Sequence, residues 1–541
     1  MNKRHLLAII IIFFSLAVIA GISQIQTNSE SIATWDTLYI SDKDYQAIST
    51  STNLSGVPLT TEIYFDDQHL LYDENSNTFY YSLIEDSPSA YTPVIELADN
   101  TISAAVYGEA ISMDMISSNR PIKLVLMKGN TASISDLICT TLPIMNIDIA
   151  QDIIDANGYD DTFDIAEYVP SAIYLFDNRA DFDGKTRSVV SDSKIRRRGQ
   201  TNLANPAKGY RITLLDDKND MDGERNKENL LGLRNDDDWI LYNAYRDYEK
   251  IRNVFSMNLW HDSFKNANEW QVDNSTEYRY LELFINNHYH GLYAICYPID
   301  SKQVKITDGE SLFKKMDWTH SERDTKLTLQ GNGEYTLPGY VNKSTEYNYN
   351  DLLSLYVNMT YSTDPVVTRM TSDMNNSIDL WLYYKLTQAV DNVANGGAKN
   401  MYVSVKNSSS GIEGHKLLFT PWDMDQSWRH VGEGTLGQYK DPGYDMPIDW
   451  GTVYCLQNIN DPTIDTQIKA RYQELREGPW SDTAMMEALN RYEADIYGSG
   501  AFMRTMNRWP EALYNNPSTG LGEFKDYVLN RLKCMDEYIL N

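Results

Sequence analysis

The chain has 541 residues, several times the length that one hydrophobic core usually serves, so we expect two or three domains. Hydrophobic residues make up 42% of it and aromatic residues 12%, which is enough apolar surface for packed cores and excludes a disordered chain. The 47 basic residues against 76 acidic ones give a net charge of −29. This balance argues against nucleic acid or an anionic membrane surface as the main partner.

The cysteines argue against two classes of protein. The four cysteines are far apart and form no CxxC pair, so neither a zinc site nor a disulfide-dense scaffold is indicated; they are Cys139, Cys296, Cys455 and Cys534. One or two disulfides remain open at this point.

The N-terminus has the pattern of an export signal. Lys3 and Arg4 precede an apolar run over residues 6–22. The run is long for the core of a signal peptide and short for a membrane-spanning helix, and Ala20 offers a small-residue cleavage site. Residues 1–30 therefore fit either a cleaved signal peptide or a retained N-terminal membrane anchor. In both cases we expect the rest of the chain to be extracellular or at the cell surface.

Residues 34–141 have the pattern of short β-strands separated by polar turns. Examples are Thr60–Phe65, Thr78–Leu83 and Ile122–Met127. Strands at this spacing predict a small β-sandwich-like N-terminal domain. It contains no chemical motif, so we interpret it as a spacer or a binding module.

From Leu142 onwards the pattern changes to mixed α and β. Strands are predicted at Ser171–Phe176 and Gly209–Leu215, helices at Ile251–Ser263 and Ile378–Val390, and a hairpin across 278–297. The stretch around Leu337–Pro365 has the pattern of a loop-like insertion. We predict an α+β domain over residues 142–460.

Helical periodicity dominates the end of the chain. Residues 461–541 carry periodic apolar positions, including Phe524–Leu540, and are predicted to form a helical C-terminal part of the preceding domain. We expect residues 142–541 to fold without the N-terminal module, because both sides of the boundary have ample apolar residues.

One constellation of polar residues can carry chemistry. An amphipathic helix ends at Asp391, a glycine-containing loop follows, Asn400 opens a predicted hairpin, and the returning strand leads into Asp423 and Asp425. Protein kinases combine a catalytic-loop Asp with an Asn and a second Asp on the metal. Carboxylate and amide oxygens suit Mg²⁺. Asp423 and Asn400 are therefore predicted metal ligands, and Asp425 is a second candidate, because residues two apart on a strand face the same side.

Positive charge in this acidic chain is concentrated upstream. Lys194–Gly199 and Lys208–Arg211 bring six cations onto two predicted strands. Such a concentration suits a nucleotide phosphate site, although cations on strand edges alone also fit a solvated face.

These segments resemble the motifs of the spore coat protein H (CotH) kinase family, in the same order. The matching residues are Ile195–Gly199, Lys208–Ile212, Leu230–Leu233, Trp239–Leu241, Arg252-Asn253, Glu282–Asn286, Gly291–Tyr293, Asp391, Lys399-Asn400 and Pro421–Asp423. The resemblance covers roughly residues 142–429, and the helical tail also looks like the C-terminal end of that family.

The resemblance implies an atypical protein-kinase-like fold that transfers phosphate from ATP to protein hydroxyls, with Mg²⁺ or Mn²⁺. It implies Asp391 in the catalytic-loop place and Asn400 and Asp423 in the metal places. The implied substrate is a surface or secreted protein, with no nucleic acid as partner, and with membrane contact only through an uncleaved N-terminal segment.

The resemblance also implies roles for the upstream cations. Lys208 would contact phosphate, and Arg196 and Arg198 match an Arg-x-Arg-Gly element for which phosphate binding is the expected role. One position departs from the family pattern, because Tyr297 stands where members commonly have Glu. This leaves reduced activity or a pseudokinase open.

Two alternative hypotheses assign the protein to other functional classes. A non-catalytic surface module could use the same shape to bind a protein or glycan partner, and the scarcity of extracellular ATP favours it. A carbohydrate-active enzyme using Asp423 and Asp425 as paired acids is a weaker alternative, since few aromatic residues besides Trp422 and Trp428 are available to line a sugar site.

Overall fold

The protein is described by a computed structural model, in which residues 38–51, 53–85, 93–184, 186–199, 201–317, 327–345, 347–360, 364–394, 397–428, 441–448, 456, 461–510 and 519–541 are placed. The N-terminal apolar run lies outside these ranges. Within them, no helix is both long enough and apolar enough to cross a bilayer. Cys139, Cys296 and Cys534 are free thiols, and Cys455 lies outside the described residues.

Strands and helices are interleaved along the chain, so the protein is of mixed α+β class. The strands are β1 (Asn53–Ser55), β2 (Ile63–Phe65), β3 (Gln68–His69), β4 (Leu71–Asp73), β5 (Thr78–Ser82), β6 (Ile95–Leu97), β7 (Ser103–Tyr107), β8 (Ile122–Lys128), β9 (Thr131–Thr140), β10 (Ile144–Asp148), β11 (Val169–Phe176), β12 (Ser188–Arg198), β13 (Gly209–Leu215), β14 (Asp238–Tyr242), β15 (Tyr278–Ile285), β16 (His288–Cys296), β17 (Ser311–Lys315), β18 (Thr328–Leu329), β19 (Tyr335–Thr336), β20 (Tyr340–Asn342), β21 (Val393–Ala394), β22 (Gly397–Ala398), β23 (Met401–Ile412) and β24 (His415–Pro421). The helices are α1 (Asp42–Ser51), α2 (Met113–Ser117), α3 (Gln151–Asn157), α4 (Arg252–Phe264), α5 (Tyr349–Thr360), α6 (Pro365–Thr371), α7 (Met374–Thr387), α8 (Pro462–Glu477), α9 (Asp482–Glu493), α10 (Ala501–Arg508) and α11 (Gly522–Leu540).

The chain divides into two compact units. The first contains the described parts of 1–70, 89–109 and 122–137, and the second contains those of 71–88, 110–121 and 138–541. In the first unit β8 pairs antiparallel with both β7 and β9, while β1 runs parallel to β9. A smaller sheet joins β3, β2 and β6. This part of the chain is β-rich, and a sandwich arrangement there stays a prediction.

The second unit is built around a closed seven-stranded barrel. Its strand order is β10-β11-β12-β13-β14-β16-β15, and parallel pairing of β10 with β15 closes it. Alternate residues of β11 are buried, as expected for a strand with one face toward a core. The predicted hairpin is confirmed: Asn286 and Asn287, both with positive φ, form the turn between β15 and β16.

A four-stranded sheet and the helices form the rest of the second unit. The sheet has the order β20-β17-β23-β24. The helix predicted at residues 377–390 is α7, which begins earlier because Asp373 caps its N-terminus. It ends at Thr387 because Gln388 adopts a left-handed conformation. The predicted loop-like insertion is partly wrong, since α5 (Tyr349–Thr360) occupies much of it.

A hairpin from the predicted N-terminal module belongs to the second unit. Leu71 on β4 and Tyr80 on β5 pack with Ile144, Phe284 and Tyr289 of the barrel strands in one buried cluster. A fragment that starts at residue 142 would expose these barrel residues. The domain boundary near 142 itself stays a prediction.

The barrel is tied to the C-terminal helices by a buried ion pair. Arg504 on α10 donates from Nε to Glu282 Oε2 on β15 at 2.9 Å, and a second guanidinium nitrogen contacts the other carboxylate oxygen. The two side chains are 3% and 1% exposed. Because water cannot solvate either charge, each depends on the other.

We expect Arg504→Met to lower the free energy of unfolding by about 3–5 kcal/mol, because it leaves the Glu282 carboxylate buried without its partner. Adding Glu282→Gln to this variant should restore part of the loss. The measurement is urea unfolding. The control, Arg120→Met, removes the exposed pair of Arg120 with Asp114 and should cost at most about 1 kcal/mol. Similar losses from the buried and the exposed pair would contradict the prediction.

Candidate functional site

The site lies at one end of the four-stranded sheet, where three strands are held in line by backbone hydrogen bonds. Trp422 N donates to Asn400 O at 3.0 Å, and Asn400 N donates to Lys315 O at 3.1 Å. The hairpin β23–β24 pairs Met401 with Pro421, so its two ends emerge side by side. The residues at the opening and closing of this hairpin are therefore neighbours, as the sequence predicted.

A buried amide joins the helix end to both hairpin ends. Asn392 follows Asp391, and its Nδ2 donates to Asn400 O at 2.9 Å and to Trp422 O at 2.8 Å. One side chain thus fixes the loop after α7 against β23 and β24. The sequence analysis did not identify Asn392, because an Asn in a polar loop gives no signal that separates it from an ordinary turn residue.

Asp391 is half-buried, and both of its carboxylate oxygens are engaged. Lys399 Nζ lies 2.7 Å from Oδ1, and Asn400 Nδ2 donates to Oδ2 at 3.2 Å. These contacts fix the orientation of the carboxylate. The predicted catalytic Asp and the predicted metal-binding Asn are therefore in direct contact.

Asp423 and Asp425 do not lie on a strand, contrary to the alternation on which the prediction for Asp425 depended. β24 ends at Pro421, and the backbone then turns sharply, with φ of 57° at Asp423. Asn400 has the same left-handed conformation, with φ of 53°. Asn and Asp tolerate it better than most residues, and such conformations concentrate at functional sites.

The electrostatics at Asp425 show that the acids converge. Burial is the largest cause that raises its pKa well above the ordinary range of a carboxyl, and the negative charges of Asp423, Asp391 and Asp247 add to it. Lys399 acts in the opposite direction. Several negative charges therefore lie close to Asp423. A bound cation would reduce the repulsion among them.

The donor set suits a hard cation completed by phosphate oxygens. Asn400 uses its amide nitrogen toward Asp391, so Oδ1, the atom that a metal requires, accepts no hydrogen bond within the described residues. Among the described residues, no group of three or more His, Cys, Asp or Glu side chains has the arrangement of a metal site. Asp423 and Asn400, with Asp425 beside them, match the one or two carboxylates with which Mg²⁺ is commonly held when phosphates supply further oxygens.

Helix α4 contacts the loop over residues 422–428, which carries Asp423 and Asp425 and is called the acidic loop below. Asn253 is buried, and its Oδ1 accepts from Met424 N, between the two acids, at 2.8 Å. The Ser256 hydroxyl contacts Ser427 Oγ at 3.0 Å and accepts from Trp428 Nε1 at 2.9 Å. Asn253 was part of the sequence motif, but nothing in the sequence indicated that it contacts this loop.

Lys208 was predicted to contact phosphate from an exposed strand edge, and its environment does not have that character. The residue precedes β13, is 6% exposed, and donates from Nζ to Leu203 O at 2.7 Å. Asp164 Oδ2 lies 3.5 Å from the same nitrogen. The ammonium group thus has two protein partners already, which is the pattern of a structural lysine.

The two predicted arginines differ from Lys208. Arg196 and Arg198 alternate with Arg197 on β12, and Arg197 pairs with Asp164. Arg196 stacks its guanidinium over the ring of Tyr168 at 4.9 Å, and its Nε is buried without a hydrogen bond among the described residues. Arg198 Cζ lies 5.8 Å from the centre of the Trp422 ring, next to Asp423 in the chain. Only Arg198 is thus brought to the acidic loop by an observed contact.

A lysine that the sequence analysis did not select lies at the same indole. Lys314 on β17 places its Nζ 5.6 Å from the centre of the Trp422 ring and 5.3 Å from that of Tyr402. Its pKa is lowered to about 8, mainly by burial and also by the charges of Arg198 and Lys343, while the charge of Asp423 opposes this shift. Its strand lies far from the recognised cations in sequence, so only the fold brings them together.

Comparison with known families agrees with this arrangement. A family model described as CotH kinase protein matches residues 195–535. The match covers more than half of the chain and includes all seven predicted site residues, so the chain belongs to the CotH kinase family. Membership implies a kinase-like function and, in general, the use of ATP and a divalent metal. No curated protein gives a significant match to the chain.

We expect Lys208→Met to destabilise the protein by about 1–3 kcal/mol, because it removes the hydrogen bond from a buried ammonium group to Leu203 O and one of the two cations beside Asp164, whose ion pair with Arg197 remains. Nucleotide affinity should change little. Urea unfolding and ATP titration measure the two effects, with the exposed Lys227→Met as control. A fall in ATP affinity without a loss of stability would contradict this expectation and support a direct contact between Lys208 and phosphate.

Two buried asparagines on α4 allow a matched test of the acidic loop. Asn253 accepts a hydrogen bond from Met424 N in the acidic loop, whereas Asn258 accepts one at 2.8 Å from Tyr278 N on strand β15. Both alanine substitutions should cost about 1–3 kcal/mol of stability. Only Asn253→Ala should also weaken Mn²⁺ binding, because only it releases the backbone between Asp423 and Asp425. Equal effects of the two variants on metal affinity would show that Asn253 acts through general stability.

Proposed function

We propose that this protein is an exported, metal-dependent protein kinase of the CotH family, which transfers the terminal phosphate of ATP to hydroxyls of surface or secreted proteins. The observation that carries this proposal is the convergence of Asp391, Asn400 and Asp423 at the end of one sheet. A kinase-like arrangement of the barrel, the four-stranded sheet and the helices is part of the proposal.

Asp423 and Asn400 would hold Mg²⁺ or Mn²⁺, with Asp425 as an additional or outer ligand. A divalent metal held by these residues would supply electrostatic stabilisation of the charge that develops on the transferred phosphoryl group. The chain's own contribution is geometric. Asn392 and Asn253 fix the backbones that carry the ligands, so the oxygens need little rearrangement.

Asp391 would orient the acceptor hydroxyl and accept its proton. Its carboxylate is held by Lys399 and by the amide of Asn400, which stabilises one orientation. Because Asn400 contacts Asp391 through nitrogen and offers oxygen for the metal, it couples the position of the base to the position of the metal.

The cellular setting is also a proposal. The basic residues and apolar run at the N-terminus support export, with membrane contact only through that segment if it is not cleaved. The net charge of −29 makes nucleic acid an unsuitable partner. The alternative, a non-catalytic surface module, differs in having no phosphotransfer.

The test separates Asp423 from Asp391 by their roles. Asp423→Asn replaces a charged ligand by a neutral one, so both Mg²⁺-ATP binding and phosphotransfer should fall at least about tenfold. Asp391→Asn should leave Mg²⁺-ATP affinity nearly unchanged while single-turnover transfer drops about 10²–10⁴-fold. Calorimetric titration and transfer of labelled phosphate to the protein itself or a co-expressed surface protein measure these quantities.

Asp425→Asn is the internal control and should have a milder effect than Asp423→Asn. Equal Mg²⁺-ATP binding by the wild type and Asp423→Asn, or unchanged transfer by Asp391→Asn, would contradict these roles. Absence of transfer by the wild-type protein would favour the non-catalytic module.

A further inference from the structure

Two cations, those of Arg198 and Lys314, lie at the same indole with no ion-pair partner in the part of the chain that the structure describes. Arg198 and Lys314 come from different sheets, the barrel and the four-stranded sheet, and both lie over the ring of Trp422. Across the residues that the structure describes, neither side chain makes a hydrogen bond or an ion pair. Both side chains are half-buried.

This is unusual for the surrounding protein. Acidic residues outnumber basic ones by 76 to 47, so an anion is seldom far from a cation. Arg197, next to Arg198 on β12, is paired with Asp164, and Arg211 on the neighbouring strand β13 is paired with Asp238. Keeping two like charges together and partly out of water costs free energy unless something compensates.

The indole compensates only in part. Each cation is attracted to the face of an aromatic ring, an interaction of about 0.5–2 kcal/mol, which is weaker than a charge-assisted hydrogen bond to an anion. The charges of Arg198 and Lys343 also disfavour the protonated form of Lys314, which the negative charge of Asp423 favours. An anion that bound between the two cations would remove this repulsion.

The position of the pair defines the kind of anion. Trp422 directly precedes Asp423, so the cations lie beside the predicted metal ligand. Planar Arg recognises phosphate in a bidentate manner, and Lys acts as a point charge toward the same group. A ligand that bridges the cation pair and a metal at Asp423 needs several linked anionic groups, which is the character of a polyphosphate chain.

We propose that Arg198 and Lys314 form a polyphosphate-binding subsite across Trp422, and that this pair, not Lys208, receives the phosphates of the nucleotide. The assignment rests on the proposed kinase function for the identity of the nucleotide. The anion-binding property itself does not depend on phosphotransfer or on a divalent metal.

The test uses inorganic tripolyphosphate on the full-length protein without divalent metal, followed by Mg²⁺-ATP. The wild type should bind tripolyphosphate, with affinity that falls as salt is raised. Lys314→Met and Arg198→Met should each weaken this binding at least about tenfold, since each removes a charge-assisted contact. Lys314→Arg, which keeps the charge, should retain part of the affinity.

Lys343→Met is the matched control, because Lys343 lies close enough to affect the Lys314 charge but is exposed. It should change tripolyphosphate affinity less than about threefold, as expected for a screened surface charge. Thermal melting of every variant separates loss of the site from loss of the fold, and Lys314→Arg gives a second readout if Lys314→Met unfolds.

The outcomes distinguish this inference from the proposed function. Tripolyphosphate binding that depends on Lys314 and Arg198 supports the subsite even if the wild type transfers no phosphate. Phosphotransfer by the wild type together with tripolyphosphate binding that Lys314→Met leaves unchanged would overturn the subsite and leave the kinase assignment intact. No binding of tripolyphosphate by the wild type would also overturn it.

Discussion

The candidate site depends on one constraint, the attachment of three separate backbone segments to the side chain of Asn392. Its amide donates to the carbonyls of Asn400 and Trp422 while its own backbone follows Asp391. These carbonyls belong to the two ends of a hairpin, and the residues next to them carry the oxygen ligands. Because a buried amide that loses such bonds leaves polar groups unsatisfied, the arrangement is fixed energetically as well as geometrically.

Around this attachment the protein separates charge. Acids gather in the loop that follows Trp422, where Asp425 experiences the negative charge of Asp423, Asp391 and Asp247. Cations gather at the ring of Trp422, where Lys314 experiences the positive charge of Arg198. Asp391 and Asp247 have ion-pair partners, but within the described residues Asp423, Asp425, Arg198 and Lys314 have none. A divalent cation with a polyphosphate would satisfy both clusters, which is the composition of a metal-nucleotide complex and gives the family assignment a physical basis.

The surrounding fold supplies rigidity to both clusters. Helix α4 anchors the acidic loop through Asn253 and Ser256, and the indole of Trp428 packs between Phe255 and Phe524. Phe524 belongs to the C-terminal helix α11, so the helical tail supports the loop that follows the acids. The family match, which extends to residue 535, includes Phe524.

The sequence by itself determined the local elements and the order of the motifs. Strand β13 coincides with its prediction, and α4, β5 and β8 differ by one or two residues, because hydrophobic periodicity and turn residues are local properties. It also predicted that Asn400 and Asp423 are neighbours, since a hairpin brings its own ends together, and that Asp391 joins them; the catalytic and metal-binding roles of these residues stay predictions. Tertiary structure alone decided which distant residues join them. Lys314 and Asn253 contact the site only after separate sheets and helices pack, and the contacts of Lys208 with Leu203 and Asp164 arise from residues outside its strand, while its role toward phosphate stays a prediction. Periodicity encodes which side of an element is apolar, but it does not encode which element lies opposite; packing decides that.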